Sequence, residues 1–323
     1  MSNTSPSVGL SPVAPQAFQA FNRSATVTVG NLVLQSIGQQ TGLDFSFTVK
    51  RSLKALEPNT CDLKIWNLSE GSRQQMQQAS QKSSIVAAPP TGTPDVGGQK
   101  LNIIPVQIDA GYVGHTSTIF LGEMSSGTAR STQTVVDGAD TVTELNSGDG
   151  DTALTLQRIS AAFSKGSTPL SVVQALLAQM GVGNGNVGAF ASQFNSADYL
   201  FQRGVTLKGN AAWHLDQICA AVSLEFSVQN GAAQFLKIGK ALAGEAYSLS
   251  PSSGLVGSPT VDTAGICSFV TFIIPGVVPG APVEIDSAYV QGDFRILSVE
   301  YEGSTFENEW YCKCESARYG VAP

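Results

Sequence analysis

The chain has 323 residues, 42% of them apolar, and a mean hydropathy of +0.06, which is enough material for two ordinary domains with soluble cores. Only 13% of residues are charged, against roughly 25% in a typical soluble domain. With 18 Lys+Arg against 25 Asp+Glu, the net charge of −7 excludes a phosphate-gripping basic surface, because nonspecific nucleic-acid binding needs clustered cations to displace counterions.

So sparse a charge has two physical readings. Either the surface is quiet and polar, built of Ser, Thr, Gln and Asn, or much of it is covered by neighbouring subunits.

The first Lys or Arg is Arg23, and residues 2–19 are rich in Ser, Pro and Ala. No charged region leads an apolar stretch, so residues 1–24 read as a flexible, uncleaved arm. Period-two alternation follows. Leu43, Phe45, Phe47 and Val49 alternate with Asp44, Ser46, Thr48 and Lys50, the pattern of a strand with one buried face. Cys61, Leu63 and Ile65 repeat it after turn residues 56–59, and Ser69 is placed to cap a short polar helix. Residues 82–101 carry Pro89-Pro90, Pro94 and Gly97-Gly98 and read as an insertion or interaction loop. Strands are expected again at 104–108, 119–121, 134–136 and 141–143, with Gly111-Tyr112-Val113-Gly114 as a turn. Residues 25–147 therefore form a first antiparallel β barrel or sandwich.

The period then changes to that of helices. Thr168-Pro169 gives an N-cap and first turn, Leu170, Val173, Leu177 and Met180 share a stripe, and Gly181 ends it. Asn210 caps a second helix carrying Leu215, Ile218, Cys219 and Val222. Residues 224–228 and 233–238, joined through Asn230-Gly231, make a hairpin, because Asn-Gly suits positive φ. Residues 148–245 are thus a smaller α+β region. Strands return at 268–274, 283–285, 294–301 and 310–315, so residues 246–323 form a second β domain. The apolar stretch 263–283 contains Pro275, Pro279 and Pro282 and reads as strand, turn, strand in place of a membrane span. Segments 119–136 and 294–314 echo each other weakly, as two related β domains would.

Chemistry is hard to assemble from these residues. Gly183-Asn184-Gly185-Asn186-Val187-Gly188 matches GxGxxG but follows a helix where phosphate binding requires a strand, so it reads as a flexible loop. Asp149-Gly150-Asp151 lacks the further oxygen ligands of a calcium loop and reads as a solvated turn. His214 and Asp216 are two apart on a helix and do not face each other. The pairs Glu300/Glu302 and Glu307/Glu309 could each share a face, as glycosidase carboxylates do, but nothing marks a pocket around them. Five cysteines, an odd number widely spaced, read as reduced thiols; Cys312 and Cys314 lack the two further ligands that zinc needs. Catalytic, cofactor-binding and metal residues are therefore all expected to be none.

A family resemblance rests on motifs in order. Phe45-Ser46-Phe47-Thr48-Val49-Lys50-Arg51-Ser52-Leu53-Lys54, Glu57-Pro58-Asn59-Thr60 and Leu63-Lys64-Ile65-Trp66-Asn67-Leu68-Ser69 come first. Ala110-Gly111-Tyr112, Ile119-Phe120-Leu121-Gly122-Glu123 and Gly148-Asp149-Gly150-Asp151 follow, then Lys165-Gly166-Ser167-Thr168-Pro169-Leu170, residues 249–259, Pro275, Pro279-Gly280 and Glu309-Trp310-Tyr311. Together they resemble the baseplate hub proteins of phage tails, of Mu-like and T-even type, over most of residues 26–318. Segments 82–101 and 181–188 depart from the pattern.

The resemblance implies a structural protein and no enzyme. A homotrimer with two tail-tube-like β domains per chain would make a pseudo-sixfold ring, adapting the sixfold tail tube to a threefold central spike. Its implied partners are the spike, the tail tube or tape measure protein, and neighbouring baseplate proteins. DNA would pass the channel without specific binding, with no membrane insertion by this chain, in a virion component made in the host cytoplasm. Two other readings stay open: a carbohydrate-binding tail-tip adhesin, for which Trp66 and Trp213 are candidate aromatics, and a peptidoglycan-cleaving tail hydrolase.

Overall fold

The computed structural model describes residues 22–37, 40–81, 95–96, 99–100, 103–125, 132–137 and 140–318. The arm at residues 2–19 and nearly all of the 82–101 segment lie outside the described residues. In chain order the first part carries β1 (Arg23–Val29), β2 (Leu32–Ile37), β3 (Phe45–Ser52), β4 (Asn59–Trp66), α1 (Glu70–Gln81), β5 (Ile103–Tyr112), β6 (His115–Ser125), β7 (Thr132–Asp137) and β8 (Asp140–Asp149). The middle carries β9 (Arg158–Phe163), α2 (Pro169–Met180), β10 (Val205–Asn210), α3 (Ala211–Ala221), β11 (Leu224–Gln229) and β12 (Ala232–Lys237). The last part carries β13 (Tyr247–Leu249), β14 (Leu255–Val261), β15 (Ile266–Phe272), β16 (Pro282–Asp286), β17 (Gln291–Ser304) and β18 (Trp310–Arg318). The architecture is mainly antiparallel β, with the α+β region between two β parts.

Alternation does what period two requires. In β3, Phe45, Phe47, Val49 and Arg51 are buried while the residues between them are not, and β4 buries Asn59, Cys61, Leu63 and Ile65. One large sheet runs β14-β15-β18-β17-β3-β4-β8-β6-β5-β1-β2, with β7 on β8, β16 branching from β17, and β13 pairing in parallel with β16. Its central junction is the antiparallel pair β3–β17, in register from Ser46↔Ser304 to Ser52↔Ser298. Strands about 250 positions apart in the chain are neighbours there, so the first and last β parts share one ladder.

They also share one core. A single apolar cluster holds Phe45, Ile108 and Phe120 from the first part with Phe294, Tyr301 and Trp310 from the last. Full burial of each such side chain is worth about 1.5–3 kcal/mol. Trp310 meets Phe47 edge-to-face at 5.7 Å, donates its indole N–H to the Gly111 carbonyl at 3.1 Å, and lies beneath the Arg23 guanidinium at 5.6 Å. A second cluster, with Val172, Leu176, Phe194, Leu215, Phe226 and Phe235, belongs to the middle region.

Local chemistry accounts for the middle elements. Thr168 accepts the Ser171 N–H at the start of α2, and Gly181 closes it at φ 71°. Asn210 accepts the Trp213 N–H and caps α3. Asn230 at φ 52° and Gly231 at φ 73° form the two-residue turn between β11 and β12. Several elements differ from expectation. Gly111 and Tyr112 belong to β5, so the turn is only Val113-Gly114. β1, β2, β9, β10, β13 and β14 lie outside the strands expected from the sequence; β1 nevertheless alternates cleanly, with Ala25, Val27 and Val29 buried between Thr26 and Thr28, and pairs with both β2 and β5. No helix among the described residues is long and apolar enough to cross a membrane.

Candidate functional site: a buried polar junction

The inward row of β3 ends in a charged residue. Arg51 is 4% exposed, and its guanidinium donates to Gln229 Oε1 at 3.0 and 3.1 Å and to the Ile119 carbonyl at 3.0 Å. The Gln229 amide in turn donates to the Ser52 carbonyl at 2.7 Å. Beside it, Asn59 accepts the Ser52 N–H at 3.0 Å and donates to Asp149 Oδ2 at 3.0 Å and to the Val228 carbonyl at 2.8 Å.

Asp149, 1% exposed at the end of β8, is the receptor for the hairpin turn. Its carboxylate accepts the Asn230 N–H at 2.7 Å and the Gly231 N–H at 2.8 Å, while Asn230 Oδ1 accepts the Leu121 N–H at 3.1 Å. The tip of β11–β12 is thereby plugged into the first β part by side chains of β3, β4 and β8 and by backbone of β6. Burial outweighs these donors and the nearby Arg51 charge, and holds the Asp149 carboxyl above the usual carboxylate range.

A cleft of about 260 Å³ opens next to the plug, lined by Leu121, Glu123, Asp149, Thr152, Met180 and Val228 among others. Glu123 accepts the Thr152 N–H at 3.2 Å, at the first residue of a single π-helical turn, Thr152–Leu156. Desolvation first, and the Asp151 and Asp149 charges after it, push the Glu123 carboxyl upward. A second fastening lies on the flank of the middle region. Arg295, 1% exposed on β17, pairs with Glu225 of β11 and donates to the Lys240 carbonyl at 3.1 Å. Gln234 donates to the Pro279 carbonyl at 3.0 Å in the same interface.

Chemically, this arrangement anchors. Both oxygens of Asp149 are taken by N–H donors, and no group of three or more His, Cys, Asp or Glu among the described residues could hold a metal ion. The reading of Asp149-Gly150-Asp151 as a solvated turn is corrected: Asp149 and Asp151 are 1% and 5% exposed, and the hairpin docks on Asp149 through the Asn230 and Gly231 N–H groups. Gly183 does follow a helix and not a strand. The segment is seated on the hairpin, with Gly183 N–H bonded to the Gly231 carbonyl at 2.9 Å and Asn186 bonded to both backbone groups of Phe235.

The remaining candidates scatter. His214 contacts the Lys208 carbonyl and stacks edge-on with Trp213. Glu300 pairs with Lys50 and Glu302 with Lys313, on the outer face of the sheet. Cys312 and Cys314 are buried thiols, and Trp66 packs on Phe306 at 4.7 Å between centroids. The sequence patterns assign no site role to Arg51 or Gln229. The available signal was a charge falling on the inward phase of an alternating strand.

No protein-family model matches the chain, and no curated protein matches it either. Solved structures do match. The 43 kDa tail protein of prophage MuSo2 from Shewanella oneidensis covers 92% of this chain and 97% of its own, at 11% identity and a TM-score of 0.58. The chain has the fold of a phage tail protein.

A second tail protein, from Neisseria meningitidis MC58, shares this tail-protein fold over 94% of this chain and 98% of its own, at 10% identity and a TM-score of 0.57. A third match, to an Escherichia coli type VI secretion component described as structurally similar to the T4 tail proteins gp27 and gp5, covers 92% of this chain and 79% of that one, at 11% identity and a TM-score of 0.53. The tail-protein fold thus includes the first β part, the middle region and the last β part together.

Proposed function

We propose that the chain is a structural component of a phage tail, and specifically the baseplate hub: a homotrimeric ring that adapts a sixfold tail tube to a threefold central spike and leaves a channel for DNA. The observation that carries this reading is the end-to-end likeness to two tail proteins, over more than nine-tenths of each chain involved. In the proposed ring each chain contributes residues 25–147 and 246–323 as its two tube-like units, residues 148–245 as the region bracketed by them, and residues 1–24 as an arm. The shared β3–β17 ladder supports a rigid coupling of the two units, as a symmetry adaptor needs. The spike lies on one side, the tube or tape measure protein on the other, with neighbouring baseplate proteins around the rim. Such a protein is made in the host cytoplasm, enters the virion tail, and neither inserts in a membrane nor carries a catalytic step.

Charge fits the passage of DNA. Residues 246–323 hold three Lys+Arg and nine Asp+Glu, which is −6 of the chain's net −7. An acidic lumen repels phosphate, whereas Lys and Arg there would add friction. The test is native mass together with electron microscopy of the purified chain. A trimeric ring with an acidic lumen is the expected result; a clean monomer at micromolar concentration, or a lumen rich in Lys and Arg, overturns the reading.

A further inference from the structure

The charges that remain after the internal pairs are counted are unevenly placed. All six Lys and Arg of residues 148–245 (Arg158, Lys165, Arg203, Lys208, Lys237 and Lys240) are exposed, and none makes an ion pair among the described residues. Two of them, Lys237 and Lys240, edge an open groove of about 580 Å³ in the middle region. Its wall includes Tyr199, Asp198, the exposed Ile238 and Ser223. Ser223 follows α3 at φ 58°, a left-handed position that favours glycine, so a side chain is kept there at a conformational cost.

The complementary surface is on β16–β17. Glu284 and Asp293 are directly opposite each other across that pair, and Asp286 shares their exposed face. Like charges in that relation destabilise a sheet. The loop joining the two strands presents Tyr289 at 82% exposure, the most exposed large apolar or aromatic side chain of the described residues. A protruding tyrosine with Asp286 at the base of its loop and Glu284 and Asp293 further along the strands, where the Arg318 cation lies alongside, suits a mostly polar groove in which Tyr199 and Ile238 offer an apolar contact and two lysines stand at the edge, because tyrosine anchors bury much area at small entropic cost. No ion pair joins Lys237 or Lys240 to Glu284, Asp286 or Asp293 within one chain.

We propose that the groove seats the Tyr289 loop of a second copy of this chain, with Lys237 and Lys240 facing that copy's Glu284, Asp286 and Asp293. Asp198 is then the acceptor for the incoming phenol. The two surfaces differ, so the contact is head-to-tail and repeats until the ring closes, which removes the like-charge repulsion on β16–β17 in the assembly. This inference rests on the homotrimer reading and specifies which surfaces make it.

Native mass spectrometry of the full chain at micromolar concentration tests it, with circular dichroism to confirm folding of each variant at these exposed positions. Lys237→Glu with Lys240→Glu, and separately Glu284→Lys with Asp286→Lys, should each weaken assembly at least tenfold. Combining all four should restore the trimer, and Tyr289→Ala should weaken it without changing its salt dependence. A wild-type trimer that survives either reversal, or a fourfold variant that does not reassemble, overturns this contact while leaving the hub reading in place. A wild-type monomer overturns both.

Discussion

Asn59 and Asp149 lie 90 positions apart in the chain and share a hydrogen bond of 3.0 Å beneath the β11–β12 turn. Asn59 also donates to the Val228 carbonyl and Asp149 also accepts the Asn230 and Gly231 N–H groups, so the hairpin tip from the middle region closes over both. Removing the Asp149 carboxylate therefore leaves the two turn N–H groups without an acceptor in a dry site and takes one of the acceptors of the Asn59 amide. Asp149→Ala is expected to lower stability by about 2–4 kcal/mol, and Asp149→Asn by less, since one acceptor oxygen remains. Chemical denaturation of the full chain checks this; an Asp149→Ala variant as stable as wild type would contradict the plug.

The flank contact gives a different signature. Glu225→Gln leaves Arg295 charged and buried, which costs about 3 kcal/mol or more. Replacing both partners, as Arg295→Met with Glu225→Leu, should recover most of that loss. If the double variant is no better than the single one, the two side chains are not coupled, and the thermodynamic cycle reads this out directly.

Glu123 supplies a pH dependence. Burial holds its carboxyl above the ordinary glutamate value in the fold, so the folded chain binds that proton more tightly than the unfolded one. The stabilisation is complete below the ordinary glutamate pKa and is lost as pH rises through the raised folded value. Glu123→Gln should therefore gain on wild type at pH 7.5 and gain much less at pH 5, measured as paired thermal melts. A difference independent of pH would count against the buried carboxyl.

Two glycines of the segment that matched a phosphate-loop pattern separate its roles. A Cβ at Gly185, φ 51°, would sit 1.7 Å from the Ala233 carbonyl oxygen, whereas a Cβ at Gly188 meets nothing within 4 Å. Gly185→Ala should cost about 2 kcal/mol or more through strain and a displaced hairpin, and Gly188→Ala about zero or a slight gain. Equal effects would mean that the loop is not seated on β12.

All five cysteines are buried and none forms a disulfide, and burial pushes the thiols of Cys219, Cys267, Cys312 and Cys314 upward. A thiol reagent at pH 8 should label none in the native protein and all five after denaturation. Rapid native labelling of Cys312 or Cys314 would place them at a surface.

Local chemistry was readable without a structure. The phase of β3 and β4, the Thr168 and Asn210 caps, the Gly181 stop and the Asn230-Gly231 turn all depend on residues within a few positions of one another. The order of motifs from Glu57-Pro58-Asn59 to Glu309-Trp310-Tyr311 that resembles phage hubs is also readable in the sequence, and the end-to-end likeness to tail proteins bears it out as a fold.

The low charge had two readings in the sequence alone, and the arrangement of the charges required the fold. Sequence by itself determined the amount of charge, −7 with 13% charged residues, and the local elements, because composition, period and capping are properties of neighbouring residues. Only the tertiary structure decided that Asp149 is buried, that Arg51 and Arg295 are internal, that Lys237 and Lys240 stand unpaired, and that the first and last β parts share one ladder. The burial of Asp149, Arg51 and Arg295 and the shared ladder each depend on contacts between residues about 70 to 260 positions apart, and no local pattern encodes which distant partner desolvates a given side chain.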